Sequence, residues 1–287
     1  MAKIQPPKGY ITATEVKSRL NISDAMIRYY VQKDKIKYLV PPGRKQGFYR
    51  ERDVNNLSNE LNAFLHMEDE EKAILATAEE EDLLEIANIA NDVFSFGTPP
   101  SETAIPKWRY MLLRKNKEAQ YVLKQGDTVI GFATILPLKI DTDKVEKLFN
   151  SETVSQAQVT EDDIETFEPG KHVRLYIGAI ATDPKLEKNR RKKHGATLIR
   201  ELINKVVELG ERGVVIEDIT AIGASQSGIH ILLSFGLHEI PARKPKNRAF
   251  IMNIEESGAP VSMQYKQALK EYQEKHKENN VLSRPAY

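Results

Sequence analysis

The sequence predicts a protein of mixed α and β structure in two units: a small basic helical unit with one extended hairpin, then a larger unit in which strands alternate with helices. Three observations carry that expectation. The chain has 287 residues, which is about two domains at roughly 150 residues each. Charge is uneven, with twelve Lys/Arg against six Asp/Glu in residues 1–60 and 30 against 35 in the remainder. Beyond the acid-rich run from His66 to Lys72, short apolar runs alternate with amphipathic stretches, the pattern of a sheet covered by helices.

Composition narrows the chemistry. At 40% hydrophobic and 29% charged residues the chain is ordinary for a globular protein. The absence of cysteine excludes disulfides, thiolate metal sites and cysteine nucleophiles. The amino terminus lacks the apolar core of a signal peptide, and the uncharged stretch in the apolar middle of the chain, Thr128 to Leu138, is too short to span a bilayer. A cytoplasmic protein is expected. His194 and His230 are isolated and no HExxH spacing exists, so no metal site is expected.

In the basic unit, Thr12 or Thr14 can cap a first helix with Val16 and Leu20 on one face, and Ser23 can cap a second. Ile22, Ile27 and Val31 are expected inward; Met26, Arg28 and Tyr29 or Tyr30 outward. The tight connection between the two gives a helix-turn-helix layout. Ile36 to Val40 and Phe48 to Arg50, around the basic tip Pro41 to Gly47, predict a hairpin wing. A third helix starts at Glu51, with Val54, Leu57 and Leu61 in step. With IRYY on the second helix and GFYRERDV after the wing, residues 9–61 resemble the MerR/excisionase-like winged helix-turn-helix family. The resemblance implies double-stranded DNA as partner, bound as a homodimer on paired half-sites. Ser23, Met26, Arg28, Tyr29, Arg44, Lys45, Tyr49 and Arg50 are the candidate contacts, the cations neutralising phosphates and Arg28 reading a base edge or a phosphate.

In the larger unit, Ile74 to Ala78 reads as a strand, Glu79 to Phe94 and Pro106 to Lys115 as helices, and Gln120 to Lys124 with Thr128 to Leu136 as a hairpin. Residues 141–171 read as an insertion without a strong strand, with a helix start at Thr160. Val173 to Thr182 (VRLYIGAIAT) is apolar enough for a central buried strand. A basic loop follows, then a helix from Gly195 to Leu209, a strand from Val214 to Ala221, a short helix from Gly228 to Phe235 and a strand from Ala249 to Ile254. From Pro260, Tyr265, Leu269 and Tyr272 fall at helical spacing. The expected divisions are residues 1–70, 71–257 and 258–287.

The stretch Asn189 to Leu198 carries the most chemistry. A strand feeding a basic loop and a helix start presents free amides and the positive end of a helix dipole, a place that binds phosphate. The segment IGAIATDPKLEKNRRKKHGATLIREL resembles motif A of the GNAT superfamily of acyl-CoA N-acyltransferases, with Arg190, Lys193 and Gly195 on its three fixed positions. ASQSGIHILLSFGLHEIP resembles the family's motif B. Over Ile74 to Ile254 this resemblance implies a mixed, mainly antiparallel sheet flanked by helices, and acetyl-CoA or another short acyl-CoA as the acyl donor.

The same resemblance implies that the pyrophosphate lies on the amides of Arg191 to Ala196, near Arg190, Arg191, Lys192, Lys193, His194, Gly195, Ala196 and Thr197. It places the pantetheine arm along Ile180, Ala181 and Thr182, with an amide there polarising the thioester. Lys193 replaces the first motif glycine, and Leu232 stands where many members carry the tyrosine acid. Ser225, where many have asparagine, or Ser227 is then the substitute. Direct transfer needs an amine stripped of its proton, and Glu217 is the candidate base, with Tyr176 either an acid or a packing residue. The expected activity is N-acetyl transfer to an amine by direct attack. The alternative is a non-catalytic transcriptional regulator that senses acyl-CoA. The acceptor is expected between the segment Phe94 to Lys107 and the 141–171 insertion.

Overall fold

The computed structural model describes residues 5–20, 22, 24–43, 46–65, 72–94, 105–150, 156–241 and 248–282. The first unit comprises β1 (Tyr10–Ile11), α1 (Ala13–Leu20), α2 (Asp24–Gln32), β2 (Tyr38–Leu39), β3 (Phe48–Arg50) and α3 (Glu51–Leu65). Thr12 opens α1 with a reciprocal cap: its hydroxyl accepts from the Glu15 amide at 3.3 Å, and the Glu15 carboxylate accepts from the Thr12 amide at 2.8 Å. Those bonds hold the Glu15 carboxyl below its ordinary pKa. β2 and β3 form the expected hairpin, and β1, which the sequence pattern missed, adds to the far side of β3.

Ile11, Val16, Ile22, Ile27, Ile36, Phe48, Val54 and Leu57 make the core of this unit. Val31 packs against this core while staying half-buried, and of Tyr29 and Tyr30 it is Tyr30 that turns fully inward, at 1% exposure. Tyr30 packs edge-on against His230 with ring centroids 5.7 Å apart, and its hydroxyl lies 3.5 Å from that of Ser234. Both partners belong to the second unit, so α2 uses its second tyrosine as a joint between the units.

The second unit is built on a seven-stranded sheet in the order β4-β5-β6-β7-β8-β10-β9. Its strands are β4 (Ile74–Thr77), β5 (Gln120–Gln125), β6 (Thr128–Lys139), β7 (His172–Thr182), β8 (Val215–Gly223), β9 (His238–Ile240) and β10 (Arg248–Asn253). Every neighbouring pair is antiparallel except β7 with β8. The fold is therefore a mixed, mainly antiparallel sheet flanked by helices, as the sequence predicted.

One face carries α7 (Lys188–Glu211), α8 (Gln226–Ser234) and α9 (Pro260–Leu282), with Leu198, Leu202, Val206, Ile229, Leu233 and Tyr265 packed on Leu175, Ile216 and Ile219. The other carries α4 (Leu83–Phe94), α5 (Lys107–Lys115) and α6 (Lys144–Asn150). α6, unforeseen, folds inside the insertion because Val145, Leu148 and Phe149 give it a buried stripe. The Thr160 start supports only the single turn Glu161–Asp163. The short edge strand β9 was likewise not anticipated. The linker assigned to His66–Lys72 lies outside the described residues apart from Lys72.

α9 is pinned at one point that the sequence does not advertise. The Tyr265 hydroxyl accepts from the Ile216 amide at 2.6 Å and donates to the Val214 carbonyl at 2.7 Å, closing off the start of β8. Burial pushes its pKa up to about 12. Tyr265→Phe leaves two buried backbone groups without a partner, and about 2–6 kcal/mol of stability should be lost at roughly 1–3 per group. Urea unfolding followed by circular dichroism reads this directly, and an unchanged midpoint would show the two bonds to be dispensable.

Candidate active site

The site arises where β7 and β8 part. Their parallel ladder runs from His172↔Val215 to Ile177↔Ala221 and stops there, while β7 stays paired to β6 as far as Thr182. Gly178 to Thr182 thus keep one edge with no strand partner among the described residues. The cause is local: the register shifts between Ile177 and Ala179, so Gly178 is an extra residue in β7, a bulge of the kind glycine permits. An added Cβ there would run into the side chain of Gln156, which would have to move aside. The bulge leaves Ile177 and Ile180 on the α7 face, and Ala179 and Ala181 on the α4 face.

Of the predicted strand contacts, Ile180 and Thr182 are half-buried and Ala181 is buried, all three on the segment with the open edge. Ser225 and Ser227 are brought to the same end of the sheet, just past the end of β8, and both are exposed. Ser225 caps α8, its hydroxyl accepting from the Gly228 amide at 3.0 Å.

α7 departs from the expectation. It begins at Lys188 rather than Gly195, because KNRRKK has good helix formers where the family pattern has glycine. Arg191 N already donates to Glu187 O at 2.9 Å, so the amide cradle expected over Arg191 to Ala196 is used up by the helix. The amides left without a helical acceptor are those of Lys188, Asn189 and Arg190. His194, Ala196 and Thr197 turn into the core, a correction to their placement beside the phosphates. Arg190 reaches Gln125 at 3.1 Å, while Lys192 is exposed and Lys193 half-buried.

Arg191 and Gly195 share one helical face by their spacing. An added Cβ at Gly195 would meet nothing within 4 Å, and the Arg191 Nε is buried without a hydrogen-bond partner. A cation beside an open position fits a phosphate. The chain's own residues therefore fit an acyl-CoA through side chains and the open strand edge more than through a loop of amides.

Glu217 is not brought to the opening. It sits in the β8 register between the partners of Val173 and Arg174, four residues before Ala221, which is about 13 Å at 3.3 Å per residue. It is half-exposed and paired with His172 Nδ1 at 2.6 Å. In a parallel pair, equal depth is read from the register, and the sequence alone had not supplied it. Asp218 is buried against Arg174 at 2.8 Å, and burial raises its pKa. Tyr176, by contrast, lies two residues before the bulge with 0% exposure, and its hydroxyl has no hydrogen-bond partner. Burial pushes its pKa up.

The candidate nucleic-acid residues are dispersed. Arg28 is exposed, and Tyr49 is half-buried against Tyr38 with centroids 4.8 Å apart. Arg50 is held by Asp53 through bonds of 2.8 and 2.6 Å. Tyr29 is half-buried below the Arg248 guanidinium, 5.8 Å from its centroid, which corrects its outward placement. Ser23, Arg44, Lys45 and the Met26 side chain lie outside the described residues.

No family model and no curated protein matches the sequence. Solved structures similar to the chain include the loading GNATL domain of CurA from Lyngbya majuscula, at 17% identity over 64% of this chain and 98% of that one, with a TM-score of 0.42. Others are an N-acetyltransferase from Staphylococcus aureus Mu50, at 16% identity over 63% and 98% with a TM-score of 0.39, and a putative acetyltransferase from Salmonella typhimurium with its cofactor acetyl-CoA, at 14% over 66% and 97% with a TM-score of 0.39. Among the described residues no helix is long and apolar enough to cross a membrane.

Proposed function

We propose that the second unit binds acetyl-CoA or another short acyl-CoA in the opening between β7 and β8 and transfers the acyl group to an amine. The observation that carries this reading is the bulged strand end from Gly178 to Thr182, with an unpartnered edge beside the basic start of α7. That edge offers amides to the pantetheine arm, and Arg191, Lys192 and Lys193 offer charge to its phosphates. Bound acyl-CoA supplies an activated thioester. A β7 amide past the bulge would polarise its carbonyl, and the Tyr176 hydroxyl, kept neutral by burial, would donate a hydrogen bond to the charge that develops. The amine's proton leaves to water. Calorimetric titration of the full chain with acetyl-CoA, followed by release of free CoA over a panel of amines, tests the reading; no binding would overturn it. Binding without turnover of any amine would favour the acyl-CoA sensor.

We propose further that the first unit binds duplex DNA as a homodimer, through Arg28 and the basic wing. The basic surplus and the exposed Lys33, Lys35 and Lys37 support this, although Arg50 and Tyr29 are committed elsewhere. Affinity should fall steeply with salt, and Arg28→Ala should weaken binding about 10-fold, within the ~1–3 kcal/mol of a single contact. Fluorescence anisotropy across a salt series measures both, and affinity independent of salt would exclude the proposal.

A further inference from the structure

The α4–α5 side of the sheet holds polar groups that acyl-CoA binding does not use. Arg109 on α5 is 4% exposed and has no ion pair among the described residues. Its partners are Gln120, whose Oε1 accepts from Nη1 at 3.1 Å, and the rings of Trp108 and Phe132 at 4.4 and 5.5 Å. Its Nε is buried and without a hydrogen-bond partner. Burial pulls its pKa down to about 9 and still leaves it charged at neutral pH. A buried cation with no counter-charge is costly, by several kcal/mol per ion, and such a group is kept where an anion completes it.

The register shows where that anion would sit. Gln120 pairs with Thr134, and Thr134 pairs with Ala179, the residue after the bulge. Arg109 touches Gln120 and Phe132, the cross-strand partner of Thr134 and the residue two before it, so its guanidinium spans the Thr134 position. The Thr134 hydroxyl is fully buried and unpartnered, and so is Oε1 of Gln156, whose side chain lies on Gly178. Polar groups from α5, β6 and the insertion thus occupy neighbouring register positions at the bulge: the Arg109 Nε and the Thr134 hydroxyl can still donate, and the Gln156 Oε1 can still accept.

We propose that this side of the bulge seats a ligand carboxylate, with Arg109 as counter-charge and the Thr134 hydroxyl as hydrogen-bond donor. The inference rests on the acyl-transfer reading only for the carboxylate's source. It belongs either to the acceptor, an amino acid or acidic peptide end, or to the acyl chain of a dicarboxylic acyl-CoA.

The test has a binding arm free of acyl transfer and two arms that separate the sources. Thermal unfolding of the full chain with saturating succinate or glutamate should raise Tm by about 2–4 °C or more, while the corresponding diamides should not; Arg109→Met should abolish the rise. Succinyl-CoA against acetyl-CoA, and amino acids against their amides as acceptors, should show a preference of about 10-fold or more for the carboxylate in one pair, lost in Arg109→Met. Should that variant fail to fold, Thr134→Val keeps the shape, removes one donor and should weaken the preference about 5-fold. Stabilisation by carboxylates with no acetyl-CoA binding would leave this site standing and remove the acyl-transfer reading. Binding of acetyl-CoA with no preference for a carboxylate in any arm would overturn the inference alone.

Discussion

Gly195→Asp should abolish acetyl-CoA binding, weakening it by 100-fold or more, while leaving the fold intact. Among the described residues an added Cβ at Gly195 meets nothing within 4 Å outside its own stretch of helix, and the residue lies inside α7, past its first turn. The protein itself therefore has no objection to a side chain, and leaving glycine for a better helix former favours the helix by about 0.5–1 kcal/mol for alanine. A carboxylate here would set a negative charge beside Arg191 and against the ligand's phosphates, in a half-buried place where screening is weak. Gly195→Ala sharpens the test by giving opposite signs: a higher Tm and a weaker Kd. Calorimetry and thermal unfolding on both variants supply the readings. Undiminished affinity in Gly195→Asp would mean that the acyl-CoA lies elsewhere.

Much of the larger unit was legible because its signals are periodic. VRLYIGAIAT announces a buried central strand, and the Gln125-Gly126-Asp127 turn fixes the β5–β6 hairpin; both stand as expected. Single residues that act through their partners were not legible. Nothing in the sequence shows that Arg109 lacks a counter-charge, that Gln156 lies on Gly178, or that Tyr265 closes the start of β8, since each depends on register or on contacts between distant segments. Gly178 carried a signal that was not read: a glycine inside an otherwise apolar strand is a recognised mark of a bulge, and here it marks the place where β7 leaves β8. The expected helix start at Gly195 failed for a different reason. The family pattern argued for a glycine-opened loop, whereas the residues present are helix formers, and local propensity decided. The sequence left open which of Tyr29 and Tyr30 turns inward because α2 serves two cores at once, that of its own unit and that of α8.

If acyl transfer proceeds beside the bulge, Tyr176→Phe should lower kcat by about 10²-fold, the size of effect expected when one preorganised donor is removed, with little change in the Kd of acetyl-CoA. The substitution removes only a hydroxyl that has no partner among the described residues, so folding should not suffer; burying an unpaired hydroxyl is itself unfavourable, and stability should rise slightly. Glu217→Gln should leave kcat unchanged, because Glu217 stands four residues up the strand and its bond is to His172.

The pH profile discriminates further. With water taking the proton, the rate should climb with pH as the acceptor amine, with a pKa near ~10.4 for a lysine-like group, loses its charge. Tyr176 adds no falling limb in the ordinary range, since burial raises its pKa and keeps it neutral. A fall in Glu217→Gln, with recovery at high pH, would restore that carboxylate as the base acting over a chain of waters. An unaltered rate in Tyr176→Phe would assign its buried hydroxyl to packing and leave the β7 amides as the donors that stabilise the developing charge.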